Sequence, residues 1–197
     1  NAFGEGRLED ACHMCNRILD TDPGNPEIWH IGGLIAHRMG NPEKALDCLK
    51  RAIDFAPDHP QYHNNLGVLL RSQGRIREAI SAYQTAISLA PQNAEAHSNL
   101  GAALRLNCEY SAAVDSCRSA IRLSKGCQDG YFNLALAYQA MGQFSQAICA
   151  YRSLLKINPT HQVAWHNLGA ALLNQDRFDQ AAVCLEQALQ IDPDYPQ

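Results

Sequence analysis

His63-Asn-Asn-Leu-Gly-Val-Leu-Leu-Arg-Ser-Gln-Gly-Arg-Ile-Arg-Glu-Ala-Ile-Ser-Ala-Tyr-Gln-Thr-Ala-Ile-Ser-Leu-Ala-Pro91 reads as two short amphipathic helices and a stop. The rest of the chain is this stretch again, shifted. Asn65-Leu66-Gly67 recurs as Asn99-Leu100-Gly101 and Asn167-Leu168-Gly169, with Asn133-Leu134-Ala135 between the last two. Each step is 34 residues (65, 99, 133, 167). A fixed period of this length signals a stacked repeat array, which buries its core between neighbours rather than around one centre.

Composition is consistent with such a stack. Apolar residues make up 46% of the 197 and aromatics only 7%, so the layers are packed by Ala, Leu and Ile. Net charge is -4 without a block of like charges, which argues against the basic stripe of a nucleic-acid binder. No run reaches the roughly 18 apolar residues of a membrane helix, so no membrane insertion is expected. No signal peptide is visible. The chain lacks a starting Met and opens inside a repeat, which suggests a piece excised from a longer protein. Eight cysteines occur, but Cys15 and Cys117 fall in the column of Leu49, Tyr83, Tyr151 and Leu185, and Cys48 and Cys184 share the column beside it. Cysteine acts there as a small hydrophobe, and the expected compartment is reducing and cytoplasmic.

In order, residues 1–25 are most of a first repeat, and repeats follow at 26–59, 60–93, 94–127, 128–161 and 162–195. Pro196 and Gln197 are the stump of another. The whole of 1–197 is expected to be a single array. The first helix of the second repeat should span about Pro26 to Met39, and its second should start at Asn41-Pro42 and run to about Phe55. Asn is a good N-cap and Pro a good first helical residue. Proline then stops the second helix at Pro23, Pro57, Pro91, Pro159 and Pro193. Small residues hold three columns: Gly33, Gly67, Gly101, Ala135, Gly169; Ala11 through Ala181; and Ala52, Ala86, Ala120, Leu154, Ala188. Glycine inside a helix costs about 1 kcal/mol relative to alanine, so four in one column point to a close helix approach.

On these residues the chain resembles the tetratricopeptide repeats, helix–turn–helix units of 34 residues. Trp29, Tyr131 and Trp165, with His63 and His97 as substitutes, match the family's large residue in the first helix; the Leu-Gly pair, the second-helix Ala, Tyr83, Tyr151 and the terminal Pro match too. The resemblance covers the whole chain. It implies an all-α fold, a right-handed α–α superhelix of antiparallel helix pairs whose first helices line a concave groove. One repeat departs: Lys125-Gly126-Cys127 stands where Pro should fall, and Cys108 replaces the turn glycine. Gly126 is expected to cap its helix in the left-handed conformation, Asn107 to take the positive φ, and the joint between the fourth and fifth repeats to be irregular.

Helical spacing puts Gln61, Asn64, Asn65, Val68, Arg71 and Ser72 on one stripe, apart from the Leu66–Leu70 core pair. That stripe is expected to face the groove. Asn65, Asn99, Asn133 and Asn167 recur on it, and a ladder of carboxamides can bond an extended peptide's backbone without reading its sequence. The ladder resembles that of the tetratricopeptide arm of O-linked GlcNAc transferases, which implies substrate or adaptor binding. Arg71 and Arg105 share a column and could favour an acidic segment. The column before the ladder holds His30, Asn64, Ser98, Phe132 and His166. It has no Lys, which rules out the carboxylate clamp of chaperone-tail binders. Asn64, Phe132 and His166 join the candidate peptide contacts. The bland alternative is that the amides bond neighbouring helices or water.

Reactive chemistry finds no support. His30 and His37 lie seven apart, two helical turns, a poor metal pair; Cys12-His13-Met14-Cys15 sits on a helix without a second such motif. His59 and His63, on either side of Pro60, read as turn and packing residues. There is no phosphate loop, Gly-x-Ser-x-Gly or His-Glu-x-x-His. The expected function is a non-catalytic protein–protein interaction scaffold without a cofactor, holding a partner peptide or helix in its groove. The alternatives are a substrate-targeting arm of an O-GlcNAc-type glycosyltransferase and a scaffold that self-assembles through exposed solenoid ends.

Overall fold

The computed structural model describes residues 2–191, with side chains from residue 6 onward. Among the described residues all regular structure is helical: α1 (Ala2–Thr21), α2 (Pro26–Arg38), α3 (Pro42–Phe55), α4 (Pro60–Ser72), α5 (Ile76–Leu89), α6 (Ala94–Leu106), α7 (Tyr110–Leu123), α8 (Gln128–Ala140), α9 (Phe144–Ile157), α10 (Gln162–Leu173) and α11 (Phe178–Ile191). The chain forms two compact units, one from Asn1 to Pro91 with α1–α5, the other from Gln92 to Gln197 with α6–α11. Within each, consecutive helices pack as hairpins: α2 on α3 and α4 on α5 in the first, then α6 on α7, α8 on α9 and α10 on α11 in the second. The first repeat contributes one unbroken helix, α1. The stop expected at Pro193 and the Pro196–Gln197 stump lie outside the described residues.

The tight turn inside each hairpin is fixed by its hydrogen bonds. Gly74 N–H donates to Arg71 O and Arg75 N–H to Leu70 O, which closes the end of α4 around a left-handed residue. The same two bonds recur at every turn, and the left-handed residues are Gly40, Gly74, Cys108, Gly142 and Asp176, again 34 apart. Cys108 itself takes φ +63, and Asn107 stays at φ -85, contrary to the expectation from sequence. The bonds Cys108 N–H to Arg105 O and Glu109 N–H to Leu104 O dictate which residue must turn over, whatever its side chain.

The loops between repeats use another set of devices. Asn25 and Asn93 cap α2 and α6 by accepting from the N–H of Ile28 and Ala96 at 3.1–3.2 Å, as Asn41 inside the tight turn does for Lys44 N–H of α3. His161 Nδ1 does the same for Ala164 N–H, so its proton sits on Nε2. A second bond runs six residues back: Trp29 Nε1–H to Pro23 O and Trp165 Nε1–H to Pro159 O, both at 2.8 Å. His63 Nε2 reaches Pro57 O at 2.7 Å. Facing a carbonyl, that nitrogen must carry the hydrogen. Histidine thus replaces tryptophan in this column because it keeps an N–H at the right reach.

Two expectations about the irregular repeat need correction. Gly126 is not left-handed, and the joint is regular in its backbone. Ser124 ends α7 in an extended conformation like those of Ala56, Ala90 and Asn158, and Cys127 N–H bonds Ser124 O as His59 bonds Ala56 O. An extended C-cap needs no glycine. The joint lacks a capping side chain, as the start of α4 does, because neither Cys127 nor His59 makes a cap bond.

The glycine column closes the hairpins. A methyl on Gly67 would lie 2.6 Å from Tyr83 Cε1, and one on Gly33 or Gly169 would lie 2.9 Å from Leu49 or Leu185. On Gly101 it would collide with Cys117 Sγ. Ala45, Ala79, Ala113, Ala147 and Ala181 are fully buried beside this column. Cys15, Cys48, Cys117 and Cys184 are buried in the core, and burial pushes the Cys117 thiol up to about 12, leaving it inert at neutral pH.

Candidate functional site

The expected stripe is built on the first helix of each hairpin. In the first unit, α4 places Asn65 half-buried, its Nδ2 2.6 Å from His30 Nε2 on α2. The amide is the only hydrogen donor of that pair, so the His30 proton sits on Nδ1. Gln61 Nε2 lies at 3.5 Å from Asn65 Oδ1. His30 also lies 4.7 Å from Tyr62, ring centre to ring centre, and His59 stacks on the same tyrosine at 4.1 Å. Asn64 departs from the expectation. It is 0% exposed and cannot offer its amide to a peptide. One residue is a step of about 100° around the helix, enough to carry Asn64 from the open stripe into the packed interior. Arg71 is half-buried, with its Nε buried and without a hydrogen-bond partner.

In the second unit Asn99, Asn133 and Asn167 are all half-buried, held by α6, α8 and α10. The packing joins several of the expected residues through one that was read only as filler. Tyr151, fully buried on α9, donates its hydroxyl to Gln139 Oε1 at 3.1 Å and receives a bond from the Asn167 side chain. Burial holds its phenol well above the usual range, and the nearby Arg105 and the Asn167 bond offset only part of that. Arg105 Nε is buried without a hydrogen-bond partner, like Arg71 Nε. Phe132, half-buried, meets the Tyr151 ring edge-on at 6.2 Å and the His161 ring at 5.3 Å. His166 is half-buried on α10. Sequence reasoning missed the hydroxyl's part; the signal was tyrosine, rather than phenylalanine, at a fully buried position. It also passed over Ser98, 3% exposed, whose hydroxyl has no hydrogen-bond partner.

No group of three His, Cys, Asp or Glu among the described residues could hold a metal ion. Cys12 takes a hydrogen bond from Lys44 Nζ at 3.3 Å while Cys15 points into the core, so the two thiols of that motif serve different surroundings. No helix among the described residues is long and apolar enough to cross a membrane.

Tetratricopeptide repeat models match residues 2–67, 128–161 and 163–195, and one described as TPR repeat matches 69–107. The chain belongs to the tetratricopeptide repeat proteins, all-α helical repeats of the α–α superhelix class. Their fold is a non-catalytic scaffold type that serves protein–protein interaction. Among solved structures the chain is similar to MamA at 27% identity, with a TM-score of 0.75 over 82% of this chain and 94% of that one. MamA from Desulfovibrio magneticus RS-1 gives 20% identity and a TM-score of 0.78 over 87% and 97%. YrrB, a TPR protein with an unusual peptide-binding site, gives 16% and 0.72 over 92% and 93%. Among curated proteins none matches.

Proposed function

We propose that this scaffold holds an extended segment of a partner protein along its first helices, gripped by the amides of Asn65, Asn99, Asn133 and Asn167. The reading takes residues 1–197 as one array. The observation that carries it is the state of these amides: all four are half-buried, neither sealed in the core nor fully solvated. Asn65 and Asn167 are also fixed by bonds to His30 and Tyr151 of neighbouring repeats, and a carboxamide, with two N–H groups and two lone pairs, has capacity beyond one such bond. Carboxamides offer donors and an acceptor, the complement of a peptide backbone, so they grip without reading side chains. The buried, unsatisfied Nε–H of Arg71 and of Arg105 supports the same reading, because a partner's carboxylate or carbonyl would supply the missing acceptor. Phe132 and His166 add contact surface.

The test uses peptides selected from an extended-peptide library against the whole chain. Replacing Asn99 and Asn133 together by alanine should abolish calorimetrically detectable binding while the far-ultraviolet circular dichroism stays unchanged. Undiminished affinity in that variant would rule out the amide row as the binding element.

A further inference from the structure

The start of α8 borders a polar cleft. Cys127 stands in the column of Asn25, His59, Asn93 and His161 and, like His59, makes no side-chain cap bond to the helix it precedes. Beside it lies a cleft of about 420 Å³ between α6 and the turn into α8, lined in part by Glu95, Ser98, Asn99, Cys127 and Asp129. Ser98 lines this cleft with a side chain 3% exposed, and its hydroxyl has no hydrogen-bond partner. A buried hydroxyl left unsatisfied is costly and rare, so its presence on a cleft wall points to a ligand.

The lining decides which ligand. Helix starts attract anions, but here Glu95 and Asp129 already occupy the first turns of α6 and α8 and compensate their positive ends. An added anion would face two carboxylates. The lining contains neither Lys nor Arg, and Lys125 of the same loop is not part of it. The polar lining is rich in acceptors: the carboxylates of Glu95 and Asp129, the hydroxyl oxygens of Ser98 and Ser124 and the amide oxygens of Asn99 and Gln128, and a carboxylate has more acceptor sites than one bond uses. We propose that this cleft receives a basic side chain, arginine or lysine, of the partner segment, with its N–H groups directed at Glu95, Asp129 and Ser98. The proposal rests on the amide-row reading, since Asn99 belongs to both surfaces. It adds a side-chain preference at one repeat to a grip that is otherwise sequence-neutral.

The probe is N-acetyl-arginine methylamide, titrated into the whole chain and followed by amide resonances of residues 95–99 and 127–130. Saturable shifts confined to those residues are expected with the arginine compound and not with its norleucine or glutamate counterparts. Glu95→Gln with Asp129→Asn should weaken the arginine compound about tenfold, the loss of charge-assisted hydrogen bonds. Ser98→Ala should weaken it several-fold with unchanged circular dichroism. Equal shifts with norleucine, saturable shifts at α8 with acetate or inorganic phosphate, or unchanged affinity in both variants would overturn the proposal. Two extended peptides differing only in arginine or norleucine separate it from the underlying reading. If both bind equally and both are lost in Asn133→Ala, the cleft preference fails and the amide row stands. If neither binds while the arginine compound still shifts residues 95–99, the amide row fails and the cleft stands.

Discussion

Trp165 Nε1–H donates to the carbonyl oxygen of Pro159 at 2.8 Å and so ties the start of α10 to the proline that follows α9. Trp29 and His63 tie α2 and α4 to Pro23 and Pro57 in the same way. The large residue of this column is thus selected for a donor as well as for bulk. Trp165→Phe keeps a ring and removes the N–H. It should lower stability by about 1 kcal/mol, the net worth of one hydrogen bond, read as a shift in the urea midpoint. Trp165→His should recover part of the loss; a phenylalanine variant as stable as the parent would show that bulk alone matters.

Gly67 lies against the ring of Tyr83. Tyr83 is fully buried, and the nearest approach to an added methyl would be 2.6 Å. Gly67→Leu should therefore destabilise the chain by about 1–3 kcal/mol despite leucine's better helix propensity. Thermal unfolding monitored by circular dichroism measures this, and an unchanged midpoint would remove the close-approach account of the glycine column.

Cys108 stands at φ +63 in a turn where three of its four counterparts are glycine and the fourth, Asp176, is a residue more tolerant of that region. Left-handed backbone costs a side-chain-bearing residue about 1–2 kcal/mol. Cys108→Gly should raise stability by about 1 kcal/mol, partly offset by the loss of the hydrogen bond between Cys108 and Tyr110. A fall in the melting midpoint would mean that the thiol's contacts outweigh the backbone strain.

His30 makes the first unit sensitive to acid. Burial above all, and then His59, hold its imidazole below the ordinary 6.5, with Glu27 pulling the other way; Tyr62 and Asn65 also face the ring. The fold favours the neutral ring, so the unfolded chain takes the proton first as pH falls. The stabilisation is complete above 6.5 and is lost as pH drops through the lowered folded-state value. Between about pH 7.5 and about pH 5.5 the native chain should lose more stability than His30→Gln does. Identical losses in the two proteins would show that the histidine plays no part.

Much of this was legible from periodicity alone. The helix bounds at Pro26, Pro42 and Phe55, the Asn41 cap and the close approach at Gly67 each depend on one residue type at one position. What escaped depended on geometry that a period does not encode. Asn64 and Asn65 are adjacent on the same turn, and only the packing of neighbouring helices decides that the first is sealed and the second half-open. The left-handed position belongs to the turn's bonding pattern, so it fell on Cys108 instead of the more permissive Asn107. The His30–Asn65 and Tyr151–Asn167 bonds each join side chains of successive repeats, and no column within one repeat announces them.

The glycines opposite Leu49, Tyr83, Cys117 and Leu185 also bear on how such a chain can be shuffled. The hairpins at Gly33, Gly67, Gly101 and Gly169 are each keyed by the glycine and a counterpart of a particular size, and in α8–α9 Ala135 takes the glycine's place. A repeat exchanged whole, cut in the loops between hairpins, carries both halves of its key. A chimera cut at the tight turn would set Gly67 against a thiol, leaving a hole the size of a phenol ring, or force that ring over Gly101 where a sulfur now sits. The exchangeable module of this protein is the hairpin, and its seams lie in the loops between hairpins, marked by a proline except at Lys125–Cys127.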